Sequence, residues 1–396
     1  RRDWPGADGG KPRLRRRTEY SQKGMGHVKI SKIDVFNFDL TYAHGTYVMS
    51  GGREITHLPS TLVRVSSDTG LTGWGEVCPL GTTYLPAHAG GARAALELLA
   101  PALIGVDPTN LAAVNDAMDA TLMGYAYAKS PIDVACWDLT GKAWGASVSD
   151  MLGGVRQTEF PLYFAVPLDT PENMVAYVKA RRAEGIHRFQ LKIGGDPTLD
   201  AVRARTIVEN TGDEDIIIGD ANCGWRLNDA IRAARSMEDL PRFYFEQPCP
   251  TMEECIEVRK HTTLPMIYDE VVSDAATLQR AVREGGAGGF NLKVSKVGGL
   301  TKAKLMRDLG QELGLQVTVE DTWGGDIVSA TSAHVAASTK ARALLSVSFM
   351  NDWNNEHIAN HQPRSRNGFG SAPTGPGLGI DVDEALLGES LFTASL

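Results

Sequence analysis

No run of eighteen consecutive apolar residues occurs in this 396-residue chain, so no segment reads as a membrane-spanning helix. Cysteine is scarce: Cys78, Cys136, Cys223, Cys249 and Cys255 make an odd count with no CxxC pair. That argues against a disulfide framework or a thiolate zinc site and fits a reducing, cytoplasmic location. Basic charge is in deficit, with 40 Lys and Arg against 48 Asp and Glu, which argues against a nucleic-acid partner. Walker and dinucleotide-type phosphate loops and a GxSxG nucleophile elbow are missing too. His357 and His361 are four apart but lack the HExxH order of a zinc protease.

What is present is an average globular composition, 42% hydrophobic and 22% charged, with 42 glycines to serve many tight connections. Charge is uneven. Residues 1–24 carry eight Lys and Arg against three Asp and Glu, leaving 32 basic and 45 acidic residues beyond them, a net −13. This head has no apolar core of a signal peptide and reads as a disordered or non-native extension, with Met25 as a plausible native start.

Two textures follow. Residues 28–80 read as a small sheet, with Ile30, Ile33 and Val35 on one strand, Thr61–Val65 on another and a return through Thr72–Glu76 after the Asp68-Thr69-Gly70 turn. Residues 90–152 are Ala- and Leu-rich and read as helical, punctuated by Pro108 and Pro131. From Pro161 onward, eight short strands alternate with helices whose ends are marked, for example by Thr170, Asp274 and Thr301 as caps. The third of these helices carries Leu305, Leu309 and Leu313. This alternation predicts a parallel α/β barrel; a doubly wound sheet is the runner-up, disfavoured by the missing phosphate loop. The expected organisation is an extension over 1–24, an α+β capping domain with lid loops over 25–155, a barrel over 156–375 and a C-terminal segment over 376–396 that returns to the capping domain.

Active sites of such barrels lie at the C-terminal ends of the strands. Those ends read Lys192, Asp220, Glu246, Asp269, Lys293 and Asp321, spaced by 28, 26, 23, 24 and 28 residues, one strand–helix unit each. A single acidic strand end reads equally well as a helix cap; six ionisable residues in order do not. Three carboxylates in one pocket repel, and a hard dication resolves the repulsion: oxygen-only ligands fit Mg²⁺, with Mn²⁺ as a substitute. Enclosure beside a dication would lower a lysine pKa from about 10.4 and make a neutral amine available as a base.

The segments Ala128–Asp138, Gln190-Leu191-Lys192, Asp220-Ala221-Asn222, Glu246-Gln247-Pro248, Asp269-Glu270 and Lys293 with Val297-Gly298-Gly299 resemble the mandelate racemase/muconate lactonizing enzyme family of the enolase superfamily, over residues 28–385. That resemblance implies a modified TIM barrel of the β7α type behind an α+β capping domain. It implies Mg²⁺ on Asp220, Glu246 and Asp269, Lys192 and Lys293 as the acid/base pair on opposite faces of the substrate, and removal of a proton α to a carboxylate through an enediolate. It further implies a small-molecule carboxylate substrate and a homo-oligomer. No His ends strand seven, which points to the lysine–lysine subgroup.

Gln190 departs from that subgroup's Lys-x-Lys pattern, which counts against cycloisomerases and dipeptide epimerases. With Asn222 and the run Glu320–Asp326 it resembles enzymes acting on proline derivatives: cis-3-hydroxy-L-proline dehydratases first, and alternatively racemases or epimerases of proline betaine and hydroxyproline betaine. A metal-dependent hydrolase or a non-catalytic, metal-stabilised scaffold is the rival of another class. Trp323 and Asp321 are expected to meet a substrate cation, since an indole face attracts an ammonium by roughly 0.5–2 kcal/mol. Gln190, Asn222, Tyr47, Tyr84 and Asn351 are further candidate substrate contacts, with His88 and Trp353 nearby, and Glu270 stands behind the metal ligands.

Overall fold

The computed structural model describes residues 28–396; the expected extension over 1–24 and the start at Met25 lie outside the described residues. Apolar alternation builds the first sheet. Strands β1 (Ile30–Thr41), β2 (His57–Ser67) and β3 (Thr72–Val77) pair antiparallel, with Ile33 opposite Val65 and Val35 opposite Val63. Those four face helices α1 (Ala89–Leu103), α2 (Leu111–Thr121) and α3 (Ala126–Trp144), whose Leu96, Leu99, Ile132 and Leu139 complete a dry core. Glycine is required on β3. A Cβ at Gly73 or Gly75 would come within 2.0 or 1.9 Å of the Ala135 or Pro131 carbonyl oxygen of α3. Pro131 therefore does not break the helix, as the sequence suggests; it lies inside α3, whose backbone packs on those glycines.

The second layer is a parallel sheet of eight strands in sequence order: β4 (Phe164–Val166), β5 (Arg188–Lys192), β6 (Ile216–Asp220), β7 (Phe243–Glu246), β8 (Met266–Tyr268), β9 (Gly289–Lys293), β10 (Gln316–Glu320) and β11 (Leu344–Val347). A parallel bridge between Leu162 and Val347 brings the last strand back to the first. Seven helices follow the first seven strands: α4 (Pro171–Ala183), α5 (Pro197–Glu209), α6 (Leu227–Met237), α7 (Met252–Arg259), α8 (Ala275–Arg283), α9 (Leu300–Glu312) and α10 (Asp326–Ala337). After β11 only a 3₁₀ turn, Met350–Trp353, stands where an eighth helix would be. This is the modified α/β barrel behind an α+β domain that the sequence implies.

Thr170 and Asp274 cap α4 and α8 as expected. Thr301 does not cap α9. Gly299 precedes the helix, and the buried Asp133 carboxylate of α3 accepts the Thr301 N–H and hydroxyl at 3.0 and 2.6 Å, a cap supplied from the other domain. Leu305 and Leu313 are exposed; α9 meets the barrel through Leu300, Ala303, Met306 and Gly310 instead. Gly310 is small because Phe290 of β9 fills the space a Cβ would need.

Three stitches fix the first domain over the C-terminal ends of the barrel strands. Glu76, at the end of β3, accepts the Gly325 and Val328 N–H groups at 2.7 and 3.2 Å and so caps α10. Thr41, at the end of β1, donates twice to Glu356 at 2.7 Å. The chain then returns, and β12 (Phe392–Ser395) pairs antiparallel with β1, Thr393 opposite Asp34.

His334 of α10 is buried between Ser149, whose N–H and hydroxyl lie 3.2 and 2.7 Å from Nδ1, and the Leu378 carbonyl, 3.0 Å from Nε2. Burial lowers its pKa from 6.5 to about 4. The neutral ring is the folded form, so its contribution is complete above pH 6.5 and falls as acid is added toward pH 4. Linkage puts the loss from this one group between pH 7.5 and 5 at roughly 2 kcal/mol. Urea unfolding across that range should show a shallower acid loss in His334→Gln than in the wild type; equal slopes would remove His334 from the account.

Candidate active site

Strand register gathers the ionisable ends. Lys192 pairs with Asp220, Asp220 with Glu246, and Lys293 with Glu320, all at the rim beneath the first domain. Each of these side chains is buried. Donors interleave the acids. The Lys192 ammonium lies 2.6 Å from Asp220 and 2.9 Å from the Gln190 side-chain oxygen. Gln190 and Asn291, one layer deeper on β5 and β9, both donate to Glu246 Oε1, at 3.0 and 2.7 Å. Lys293 bonds Asp269 and lies 3.1 Å from Glu320, while Lys296 holds the other Asp269 oxygen at 2.9 Å and the Asp269 carbonyl at 2.6 Å.

The protonation states follow from this crowding. Burial works to discharge Lys192, but Asp220, Tyr47 and Glu246 outweigh it and hold the ammonium above the ordinary lysine range. Lys293 behaves the same way against Asp269, Glu320 and Glu270. Burial and then the charges of Asp220 and Asp269 push Glu246 well up. Asp269 goes the other way: burial would raise it, yet Lys293 and Lys296 pull it below the usual carboxylate range. Glu270, raised to about 7 chiefly by burial and Asp269, accepts from the Asn222 amide at 3.1 Å.

Two loops of the first domain roof a small cavity over these strand ends. Tyr47 and Met49 come from a short hairpin after β1; Leu80 and Tyr84 come from the segment between β3 and α1. Tyr84 reaches the chemistry directly, since its hydroxyl accepts from Lys293 at 2.6 Å and donates to Asp269 at 3.0 Å. Arg53 ties the loops together. It donates to the Ser50 carbonyl at 2.9 Å, the Thr83 carbonyl at 3.0 Å and the Asn222 carbonyl at 3.4 Å, with its guanidinium 5.8 Å from the Tyr84 ring centroid.

Of the residues singled out in the sequence, Gln190, Lys192, Asp220, Asn222, Lys293, Asp321, Trp323, Tyr47, Tyr84 and Trp353 line this cavity. Glu246 and Asp269 join it through the bonds just given. Glu270 faces a neighbouring cavity behind the Leu85–Ala87 stretch of the loop. Asn351 turns away: its amide donates to Asp326 at 2.8 Å and to the Pro363 carbonyl at 2.7 Å. His88 is a helix cap, with Nδ1 accepting the Gly91 N–H. His357 and His361 stack on each other and bond Asp326 and Asp352. Asp321 is consumed locally, by the Ser295 N–H and hydroxyl and the Thr322 N–H.

Comparison with known proteins places this geometry. Residues 35–153 match the N-terminal domain model of the mandelate racemase/muconate lactonizing enzymes, and residues 173–386 match the enolase C-terminal domain-like model. The chain belongs to the mandelate racemase/muconate lactonizing enzyme family of the enolase superfamily. It is 44% identical to a cis-3-hydroxy-L-proline dehydratase of Roseibium aggregatum, over 91% of this chain and 98% of that one. It is 28% identical to an N-succinyl-L-Arg/Lys racemase of Bacillus cereus, again over 91% and 98%. A solved mandelate racemase/muconate lactonizing enzyme from Roseovarius nubinhibens, complexed with magnesium, superposes with a TM-score of 0.89 at 37% identity, covering 92% of this chain and 99% of that one. The protein is thus an enolase-superfamily enzyme related to dehydratases, racemases and epimerases, and no helix among its described residues is long and apolar enough to cross a membrane.

The acids of this family member fit a hard dication. Besides their charge, Glu246 Oε2 is buried and has no hydrogen-bond partner, an oxygen whose desolvation a cation would offset. The tightest acidic cluster among the described residues lies elsewhere, where His187 and Asp215 precede β5 and β6 beside Glu214. There Arg182 already pairs with both Glu214 and Asp215, so the cluster is an ion-pair network.

Sequence reading missed Glu320, Tyr163 and Lys296. Glu320 is the residue paired with Lys293, one before the Asp321 taken as the strand end; a one-residue slip reverses the face of a strand. The period of two from Thr318 to Glu320 carries the signal. Lys296 is one turn beyond Lys293, spaced to share its carboxylate.

Arg53→Ala removes three donors from the roof. Amide exchange over residues 80–88 should speed by about tenfold, from the loss of one to two net hydrogen bonds, and hydrogen-exchange mass spectrometry reads it. An unchanged rate would show that the loops hold without Arg53.

Proposed function

We propose that this enzyme removes the proton α to the carboxylate of a proline derivative and expels a β-hydroxyl, as a cis-3-hydroxy-L-proline dehydratase. One observation carries the proton abstraction: two lysines, on β5 and β9, reach the same roofed cavity, each seated on a carboxylate. The 44% identity to a dehydratase of that name across nearly the whole chain supports the substrate.

In this reading Asp220, Glu246 and Asp269 hold Mg²⁺, or Mn²⁺ in its place. When bound, the ion supplies positive charge to the carboxylate oxygens of the substrate as negative charge gathers there. The residues of the chain do the rest. Gln190 and Asn291 orient Glu246, and Lys296 orients Asp269. One lysine takes the α-proton as the neutral amine, the form open to it once its carboxylate partner is committed to the metal and no longer holds the ammonium. A proton delivered to the 3-hydroxyl lets it leave as water, and the electron pair of the broken C–H bond becomes the C2–C3 double bond. Tyr84 bridges Lys293 and the roof, so closure completes the proton-handling set and keeps bulk water out. Trp323 lies against the same cavity with its indole N–H donated to Asn354 at 2.8 Å, which fixes the ring while Tyr42, Tyr47 and Trp353 pack its edges.

Epimerisation is the second reading, and the paired lysines favour it: a proton taken by one and returned by the other inverts the α-carbon. The lysine variants separate the two. With cis-3-hydroxy-L-proline, a dehydratase should form the unsaturated ring acid. Loss of the abstracting lysine, as Lys192→Ala or Lys293→Ala, should then cost 10²–10⁴-fold, and loss of the other lysine should cost less. No water loss by the wild type, with inversion abolished equally by both variants, would reject dehydration for epimerisation.

Chelation should abolish turnover and Mg²⁺ should restore it. Independently of turnover, Mg²⁺ at about 100 times its dissociation constant should stabilise the chelated protein by ~2.7 kcal/mol in thermal unfolding. Asp220→Asn, Glu246→Gln and Asp269→Asn should each forfeit most of that gain. Full activity after exhaustive chelation would end the metal assignment.

A further inference from the structure

Asp321, expected from the sequence to meet a substrate cation, is bonded instead to the turn after β9 and to the residue that follows it. Of the roughly four acceptor sites a carboxylate offers, Asp321 uses three, all for neutral donors: its Oδ1 accepts the Ser295 hydroxyl and the Thr322 N–H, the latter at 2.7 Å, and its Oδ2 accepts the Ser295 N–H at 2.9 Å. Glu320, one residue earlier, differs in its partners, which include a lysine ammonium and a phenol. It lines the cavity though only 2% exposed. Its Oε2 accepts the Tyr163 hydroxyl, and its Oε1 accepts the Asn291 amide at 3.1 Å and lies 3.1 Å from the Lys293 ammonium. Three of four sites are used, and one of the three already holds an N⁺–H donor.

Its surroundings suit a second cation. Tyr163, Trp353, Trp323 and Tyr47 form a chain of edge-packed rings with centroids 5.2–5.9 Å apart, and all four line the cavity beside Glu320. Aromatic faces attract a desolvated ammonium, and a buried carboxylate at their base adds full charge. Glu320 stands on β10, beside the aromatic rings, and shares the Asn291 amide with Glu246 and the Lys293 ammonium with Asp269, so it joins the acids suited to a metal to the aromatic side of the cavity.

We infer that Glu320, oriented by Tyr163 and Asn291, seats the positively charged ring nitrogen of the substrate and sets the selectivity of this cavity for cyclic amino acids over neutral-ring acids. The inference rests on the proline-type substrate proposed above and names the residue that recognises it. Glu320 binds and orients; Lys293 keeps its place between Glu320 and Asp269.

The test compares two ligands of equal shape, neither with a hydroxyl to lose, on the Mg²⁺-loaded enzyme by calorimetric titration: L-proline, whose ring nitrogen is charged, and (S)-tetrahydrofuran-2-carboxylate, whose ring oxygen is not. The wild type should prefer proline by tenfold or more. Glu320→Gln should bring the ratio close to one by weakening proline alone, while its Mg²⁺ affinity stays within twofold of wild type and so reports an intact site. Asp321→Asn should keep the wild-type ratio. A Glu320→Gln variant that retains the preference, or an Asp321→Asn variant that abolishes it, overturns the inference. The wild-type comparison needs no variant: equal affinity for the two ligands also overturns it, and leaves the dehydration reading to its own assay. Selective proline binding by an enzyme that dehydrates no hydroxyproline would instead sustain Glu320 and reject the reaction.

Discussion

Like charge packed out of water is the constraint on which this molecule is built. Asp220, Glu246, Asp269, Glu270, Glu320 and Asp321 meet at one end of a barrel, where an unpaired carboxylate costs several kcal/mol to bury. The fold meets that cost locally. Lys192 sits on Asp220, Lys293 and Lys296 on Asp269, and the neutral amides Gln190 and Asn291 share Glu246. The lysines come from an adjoining strand or the turn just after it, and the two amides from the strands one removed on either side of Glu246, so the β-register itself sets the electrostatic pattern. The arrangement is also reactive for the same reason: groups held in a charged state by their neighbours respond strongly when a cation or a zwitterion enters among them.

The α+β domain turns that pattern into an enclosed site. Its stitches to the barrel all fall beside functional segments. Glu76 caps the helix that begins just after Trp323, Thr41 and Glu356 fix the chain that follows Trp353, and Arg53 joins the two roofing loops above Asn222. Removing water from such a cavity strengthens every interaction inside it. The domain therefore acts on the chemistry through position as well as through the side chains it contributes, Tyr47 and Tyr84.

Much of this was legible in the sequence because a barrel repeats. Strand–helix units of nearly constant length put Lys192, Asp220, Glu246, Asp269 and Lys293 at equivalent ends, and spacing alone exposes them. The strong boundary signals at Thr170 and Asp274 worked because local caps need only local residues. The failures share the opposite cause. Thr301 does not cap its helix because Asp133, far away in sequence, supplies the acceptor. Leu305 and Leu313 misled because the close approach of Phe290 puts small residues, among them Gly310, on the packed face of α9. Glu320 was hidden behind Asp321 because strand ends are uncertain by a residue, and one residue is all it takes to change which face a side chain presents. Asn351 was misplaced because the chain after β11 is a 3₁₀ turn, which points Met350 and Trp353 into the cavity and turns Asn351 toward Asp326 and Pro363.

The central claim is that paired lysines and a metal-binding set of acids make the α-hydrogen of a cyclic amino acid labile. L-Proline, which lacks a hydroxyl to lose, isolates that step. Proton NMR of L-proline in D₂O with the Mg²⁺-loaded enzyme should show the α-hydrogen signal disappearing while the ring hydrogens persist. The exchange should stop on chelation and in the Lys192→Ala, Lys293→Ala double variant. A stable α-hydrogen under conditions where the same preparation consumes cis-3-hydroxy-L-proline would contradict abstraction as the opening step.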